Sequence, residues 1–558
     1  MQRRLIECVP NISEGRDRAR IDAIAAVVET VEGVRLLDVD AGRATNRTVI
    51  TFVGEPEPVL EAAFRLMKKA QELIDMRSHN GEHPRFGATD VCPLVPISGV
   101  TMDECAVFAR QLGARVGTEL GIPVYLYEFA ASEENRRNLA NNRSGEYEGL
   151  PKKLADPAWK PDFGPAAFTD GVARSGAVAI GARNFLVAYN VNLNTTSTRR
   201  ANAIAFDIRE AGRKVKQPDG SEVQVPGRLR SVKGIGWFIE EYGIAQLSLN
   251  LTDITVTPVH AAFDEARSCA AERGIRVTGS ELVGLIPKQA LLDAADFYLA
   301  RQQRSLGIPE REKIKIAVKS LGLDDLGPFD PQKKVIEYML EDTATGPAAG
   351  ERLVRMDLKR FSEETASESP APGGGSVAAY VGALGVALGT MVANLSAHKR
   401  GWDERWEEFS RWAVQGERLR NELLFLVDED TRAFDRIMAA MGLPKGSDEE
   451  KAARKATLLE ATKGAIRTPL RTMQVCVESM DLMEAMASQG LPASISDAGV
   501  GALCARAGAI GAYLNVRINC AGLEDEAFKA EVLKEAEVLK ERAGSLEAGV
   551  LQAVLARL

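Results

Sequence analysis

Four histidines occur in the 558 residues, at positions 79, 83, 260 and 398, and two of them share one short segment, RSHNGEHPRFG at 77–87. As a pattern, His79, Glu82 and His83 satisfy the H-x-x-E-H arrangement of some zinc hydrolases, where one helix face presents two imidazoles beside a glutamate base. Here Gly81 lies between the histidines and Pro84 follows His83, and proline disfavours helical backbone at the residue before it. No further ligand stands nearby in the sequence, so the segment reads as a loop and no metal is expected. An imidazole in such a loop suits proton transfer near neutral pH. Arg85, Asp90 and the Asp38/Asp40 pair at the end of a strand-like run supply charges around it. A purely structural loop histidine is the competing reading.

Two glycine-rich segments invite an anion. The run DFGPAAFTDGVARSG at 162–176 lacks the G-x-G-x-x-G order of a dinucleotide loop. PGGGS at 372–376 precedes a helical pattern and could offer backbone N–H groups to an anion, but it has no P-loop lysine, which argues against nucleotide hydrolysis. Close packing of helices against small residues is the alternative. Further on, Asp428 and Asp430 are two apart and cannot share a helix face, so one is expected to point inward and the other outward. Asp497, Asn515 and Asn519 are the remaining polar candidates. The two asparagines are four apart in an apolar helical run, where a polar group is costly to bury unless it binds something or bonds a neighbouring helix.

The elements that must hold these residues fall into two regimes. Of the 24 prolines, 19 lie in residues 1–350 and five in 351–558. Because proline is excluded from helix interiors, the last third is expected to be all-helical, with breaks at 370–376, 441–447 and 488–494 and a helix pair over 524–558. The first two thirds alternate. Residues 34–39 and 47–53 read as strands, 58–74 as a helix, 177–193 as strand, 196–212 as helix, 244–257 as strand and 259–273 as helix. The expected architecture is therefore α/β plus all-α, with α/β subdomains at 1–178 and 179–330, a linker at 331–352, and a helical bundle over 353–558.

Composition narrows the function classes. Hydrophobic residues make up 45% and charged residues 27%, an ordinary globular balance, and the net charge of −8 argues against a nucleic-acid-coating protein. Seven cysteines form no C-x-x-C pair, which fits reduced thiols in a cytoplasm. The N-terminus turns polar before any secretory-type apolar stretch develops. The longest apolar run, 377–395, carries three glycines, a threonine and an asparagine, and reads as a buried core helix with no membrane partner implied.

Taken together, the motifs carry a resemblance. ECVPNISEG at 7–15, LDVDAG at 37–42, TNRT at 45–48, EHPRFGATDVCP at 82–93, DFGP at 162–165 and GSELVGLIP at 279–287 resemble the formiminotransferases. PGGGS at 372–376, DTRAF at 430–434 and NVRIN at 515–519 resemble formimidoyltetrahydrofolate cyclodeaminase, and both sets in this order resemble the bifunctional family.

The resemblance implies two α/β sandwich subdomains forming the transferase, followed by a helical cyclodeaminase domain that pairs in a cytoplasmic homo-oligomer. It implies transfer of a formimino group from formiminoglutamate to N5 of tetrahydrofolate, then closure to 5,10-methenyltetrahydrofolate with loss of ammonia. Tetrahydrofolate, as a polyglutamylated carrier substrate, is the one cofactor implied. By motif, His83 corresponds to the transferase acid–base group, Asp40 to a carboxylate that positions it, and Asp430 to the cyclodeaminase aspartate. Gly164, Pro165, Ala166, Ala167, Phe168, Arg174 and Gly176 correspond to the folate-binding segment, which is longer here than the animal pattern and lacks its tryptophan. A folate-binding scaffold retaining one activity is the alternative implied by the same folds.

Overall fold

A computed structural model of the chain describes residues 4–43, 46–81, 84–219, 221–341 and 352–558. His83, and the 342–351 part of the expected linker, lie outside the described residues; the linker's earlier residues include two short helices, Pro331–Lys334 and Ile336–Glu341.

The first sheet contains strands β1 (Leu5–Cys8), β2 (Asn11–Ile12), β3 (Val34–Gly42), β4 (Arg47–Gly54), β5 (Thr89–Ser98), β6 (Val124–Glu128) and β7 (Val178–Ala182). Strand β4 runs antiparallel to β1, β2 and β3; β5 is antiparallel to β1 and β2 and parallel to β7, which is parallel to β6. Side chains alternate between faces along a strand, and directly paired residues share a face. Ile6, Cys8, Phe52 and Leu94 accordingly join one buried core with Leu66 and Met67 of helix α1 (Pro56–Leu73) and Ala109 and Leu112 of α2 (Met102–Arg115). The pairings Glu7↔Val53, Asp38↔Thr51, Asp40↔Val49 and Gly42↔Arg47 then put Glu7, Asp38, Asp40 and Arg47 on the opposite face. One hydrophobic period thus buries one side of the sheet and gathers charge on the other.

A two-stranded ribbon, β8 (Arg213–Lys216) with β9 (Glu222–Val225), is separate from the second main sheet. That sheet holds β10 (Val187–Leu193), β11 (Val232–Ile239), β12 (Ile244–Leu251) and β13 (Val277–Val283), all antiparallel in the order β11–β12–β10–β13. Tyr189, Val191, Leu247 and Leu249 are buried on the side of α3 (Thr198–Ile208) and α4 (Val259–Ala271), whose inner residues include Ile204 and Phe263. The run 177–193, expected as one strand, is two. Residues 178–182 complete the first sheet and 187–193 enter the second, so the change of sheet falls at 183–186, beyond the expected join at 178/179. Local pattern is blind to this, because both halves are equally apolar.

The C-terminal region is helical: α5 (Gly374–Ala397), α6 (Trp406–Met441), α7 (Asp448–Gln489), α8 (Ile495–Asn519) and α9 (Glu526–Leu555). The expected helix pair at 524–558 is one 30-residue helix. Glycine explains how α5 and α8 meet. A Cβ at Gly385 would lie 2.6 Å from the Gly501 carbonyl oxygen, and one at Gly508 2.8 Å from that of Ala378. Helix α5 is long and apolar enough to span a bilayer by length and composition, yet 61% of its apolar window is buried inside the fold. Residues up to Leu291 together with Leu321–Asp342 form one compact unit, while Leu292–Ser320 group with the helical region in the other.

Candidate active sites

In the α/β unit, three of the expected pieces converge. Asp40 is exposed near the end of β3, two residues from Asp38 on the same face, where a register shift separates Leu36 from Asp38. Burial and the neighbouring Asp40 carboxylate push Asp38 up from the usual carboxylate value. Arg47 opens β4 opposite Gly42. Its Nε is buried without a hydrogen-bond partner among the described residues, and burial pushes its guanidinium down to about 10 against the pull of Asp90 and Asp40. Glu7, on the same face, was not a candidate from the sequence. It is 3% exposed, and burial pushes its carboxyl up to about 7 despite nearby Arg183. A lone acidic residue inside the strand LIEC was the available signal.

The histidine segment follows α1 and is tied to both other pieces. His79 is half-buried, with Nε2 2.9 Å from the Asn46 carbonyl oxygen, which requires a proton on Nε2. Its Nδ1 accepts from Arg85 Nε at 3.4 Å, so both ring nitrogens are engaged and the imidazole is neutral. Burial accordingly lowers its proton affinity, and Arg85 adds to the effect. Arg85 itself is buried and forks onto Glu148, at 2.7 and 2.8 Å, with Glu146 at 3.1 Å. Asp90 is buried against Arg143 and accepts the Phe86 N–H at 3.1 Å. The charges near the histidine loop therefore hold the fold together in closed pairs. Among the described residues no group of three or more His, Cys, Asp or Glu is placed to hold a metal ion.

The 164–176 segment meets this loop directly. Gly87 and Gly176 form an isolated bridge, the Ala88 N–H donates to the Ser175 carbonyl at 2.7 Å, and Arg77 reaches Asp170 at 3.3 Å. Both ends of the segment need glycine. Gly164 has φ +83° and a Cβ there would lie 2.3 Å from the Ile122 carbonyl oxygen; Gly176 has φ +68° and would meet that of Phe86 at 2.3 Å. Between them Ala166, Ala167 and Phe168 are exposed, Pro165 is half-buried, and the Phe168 ring stands 6.4 Å from that of Tyr147. Arg174 donates to the Glu72 carbonyl near the end of α1 at 2.7 Å.

In the helical unit, Asp430 of α6 sits at the first turn of α5. Its Oδ2 accepts the Ser376 backbone N–H at 2.9 Å and the Ser376 hydroxyl at 3.2 Å. Among the described residues its Oδ1 has no hydrogen-bond partner, and a Cβ at Gly375 would lie 2.2 Å from it. Burial pushes the carboxyl up, and the Ser376 bonds pull it part of the way back. Of the backbone N–H groups that PGGGS could offer to an anion, that of Ser376 is taken by the Asp430 carboxylate. Asn515 bonds its own helix at Gly511 and lies against Gly374; Asn519 donates to the Ala465 carbonyl of α7 at 2.9 Å, the bland alternative for that residue. Of the aspartate pair, Asp428 is the more buried member. Its Oδ1 has no hydrogen-bond partner among the described residues, and α6 is covered by both α5 and α7. Asp497 lies in the first turn of α8, where its charge complements the helix dipole.

Comparison with known proteins covers nearly the whole chain. Residues 5–183 match the family described as "Formiminotransferase domain, N-terminal subdomain", 188–341 "Formiminotransferase domain", and 357–538 "Formiminotransferase-cyclodeaminase". A formimidoyltransferase-cyclodeaminase of Rattus norvegicus is 43% identical over 553 residues, 99% of either chain. A glutamate formimidoyltransferase of Thermoplasma acidophilum is 45% identical over 297 residues, 53% of this chain and 92% of its own. A methenyltetrahydrofolate cyclohydrolase of Methylorubrum extorquens is 44% identical over 197 residues, 35% of this chain and 95% of its own.

Proposed function

The chain belongs to the formiminotransferase-cyclodeaminase family, and on that premise we propose that it transfers a formimino group from formiminoglutamate to N5 of tetrahydrofolate and then closes the product to 5,10-methenyltetrahydrofolate with release of ammonia. The transferase is assigned to two α/β sandwich subdomains within residues 1–330, expected to join at 178/179 and here divided at 183–186, where the chain passes from one sheet to the other, and the cyclodeaminase to the helical bundle over 353–558, with 331–352 as linker. Tetrahydrofolate enters as carrier substrate in polyglutamylated form.

In the first reaction, N5 attacks the amidine carbon and must lose a proton, while the departing glutamate nitrogen must gain one. His83 moves both, which one imidazole near neutral pH can do. Asp40 orients it, and the 164–176 segment (Gly164 to Phe168, Arg174 and Gly176) lies against the folate. The observation that carries this reading is the meeting of the Asp40 strand, the histidine loop and the 164–176 segment in one unit, with a separate half-buried carboxylate in the other.

In the second reaction, N10 attacks the same carbon and ammonia departs. The unpaired Oδ1 of Asp430 takes the N10 proton or steadies the cation that forms. Neither step needs a redox group. The chain assembles as a homo-oligomer through the helical region. Exposed apolar side chains at helical spacing support this: Leu384, Met391 and Leu395 on α5, and Val500, Leu503, Leu514 and Ile518 on α8.

The test is an assay of methenyl-folate absorbance and ammonia, with formiminoglutamate, formiminoglycine and a formylated analogue as donors. Product from formiminoglutamate with stoichiometric ammonia is expected. Tight folate binding without either product would instead favour a scaffold that has kept only its folds.

A further inference from the structure

Asn46 stands where three separate stretches of chain meet. It is buried and has φ +47°, a left-handed conformation that asparagine tolerates better than most residues with a side chain. Its Oδ1 accepts the Gly15 N–H at 3.0 Å, its Nδ2 donates to the Asn80 carbonyl at 2.8 Å, and its own carbonyl accepts from His79 Nε2 at 2.9 Å. One residue of β4's approach thereby grips the end of the 7–15 motif and two points of the histidine loop. From the other side of that loop, Arg85 donates to His79 Nδ1 at 3.4 Å and to the His79 carbonyl at 3.3 Å, while the Tyr147 N–H donates to the Arg85 carbonyl at 2.9 Å. The residues flanking positions 82 and 83 are thus held from both ends, Asn80 by Asn46 and Arg85 by Glu146, Glu148 and Tyr147.

The geometry points to Asn46, His79 and Arg85 as positioning residues of the transfer reaction, with His79 required in its neutral Nε2–H form because a second ring proton would set two donors, Nδ1–H and Arg85 Nε–H, against each other. This rests on the assignment of His83 as the proton-moving group, since these three residues act only through the loop that carries it. The charged groups around His79 are Arg85, Glu14 and Arg16, the last of which donates to Asn80 Oδ1 at 3.2 Å, with Glu146 and Glu148 behind Arg85. Burial and Arg85 disfavour the imidazolium and Glu14 favours it, so the ring loses its acceptor only on the acid side of neutrality. The Asn46 hub has no part in the helical unit's chemistry.

The test uses the full chain and two variants, Asn46→Gly, which keeps the backbone conformation but removes both side-chain bonds, and His79→Gln, which can still donate to the Asn46 carbonyl but cannot titrate. Misplacing a reacting group by about 1 Å can cost ~10²-fold in rate. Asn46→Gly is expected to lower kcat of formimino transfer by about that factor, with KM for formiminoglutamate little changed. Ammonia release from supplied 5-formiminotetrahydrofolate should stay at the wild-type rate. His79→Gln leaves the Asn46 turn intact and so serves if the glycine variant unfolds. Its acid limb for transfer should become shallower, because one of two protonations has been removed. Wild-type kcat in Asn46→Gly, or an unchanged acid limb in His79→Gln, would overturn the positioning role. A wild-type chain that forms no transfer product would instead bring down the functional reading, and the hub with it.

Discussion

The two units place the group proposed for each reaction by different means. In the α/β unit the surroundings of the histidine loop come from residues as far apart as Gly15, Asn46, Arg85, Glu148 and Gly176, joined largely through backbone groups and a part-buried ion pair. In the helical unit Asp430 is placed by one helix against the start of another, with a missing Cβ at Gly375 leaving room for the carboxylate. A loop-built site depends on many directional bonds that must all form together. A helix-built site depends on approach distance and burial, which also set its proton affinity. Perturbing the first should therefore change rate through geometry, and perturbing the second should change rate through charge and packing.

The largest effect expected is in the α/β unit. His83→Ala should reduce formimino transfer by ~10²–10⁴-fold, the usual loss for a positioned acid–base group. Cyclisation of supplied 5-formiminotetrahydrofolate should be unaffected, as measured by ammonia release. Transfer at the wild-type rate would make His83 structural and erase the distinction between the units.

Next comes the carboxylate. Asp430→Asn should slow ammonia release by ~10²-fold, on the scale of losing one electrostatic stabiliser, with 5-formiminotetrahydrofolate accumulating and transfer retained. Asp428→Asn is the control: it keeps the shape of a buried side chain whose Oδ1 has no partner among the described residues, and should leave ammonia release unchanged and folding no worse. A reversed result would move the second site to the other side of α6.

A smaller effect separates packing from charge. Gly375→Ala puts a methyl group 2.2 Å from Asp430 Oδ1, so the carboxylate or the start of α5 must shift. Overpacking of this kind costs about 1–3 kcal/mol, read as a lower thermal midpoint of the helical unit together with slower cyclisation. An unchanged midpoint would show that the approach of α5 to α6 is looser than described.

The smallest is a displacement in pH. Burial raises Asp430 above its ordinary value of 3.8, so the acid limb of cyclisation should lie above the range of an exposed aspartate. A carboxyl raised in the folded state adds stability in its protonated form; that contribution is complete below the unfolded value and is lost as pH rises through the folded one. Ser376→Ala removes the hydroxyl that favours the ionised form, so the limb should move further up. A downward move in the pH profile of ammonia release would contradict the hydrogen-bonding scheme.

How much of this was legible without coordinates differs between the units. The breaks at 441–447 and 488–494 and the buried character of the 377–395 run follow from local composition, and the helices lie where it put them. The split of 177–193 between two sheets does not, since both halves are equally apolar and only their partners distinguish them. Likewise PGGGS read as an anion cradle because its glycines are visible in the sequence, whereas the carboxylate that occupies the place comes from 54 positions away. His79 and His83 looked alike on paper. The structure makes His79 a neutral, doubly bonded strut through Asn46 and Arg85, neither of which its sequence neighbourhood singles out for that task.

By itself, then, the sequence determined which residue types were on hand and which stretches are helix or strand, because propensity and hydrophobic period act over a few residues. It also determined the family, through motifs distributed along the whole chain. Only the tertiary structure decided that Glu7 is buried with its carboxyl near neutrality, that Arg85 and Asp90 are closed into ion pairs, and that Asp428 lies under cover. Desolvation and hydrogen bonding depend on what approaches a group from elsewhere in the chain, and that approach exists only once the chain has folded.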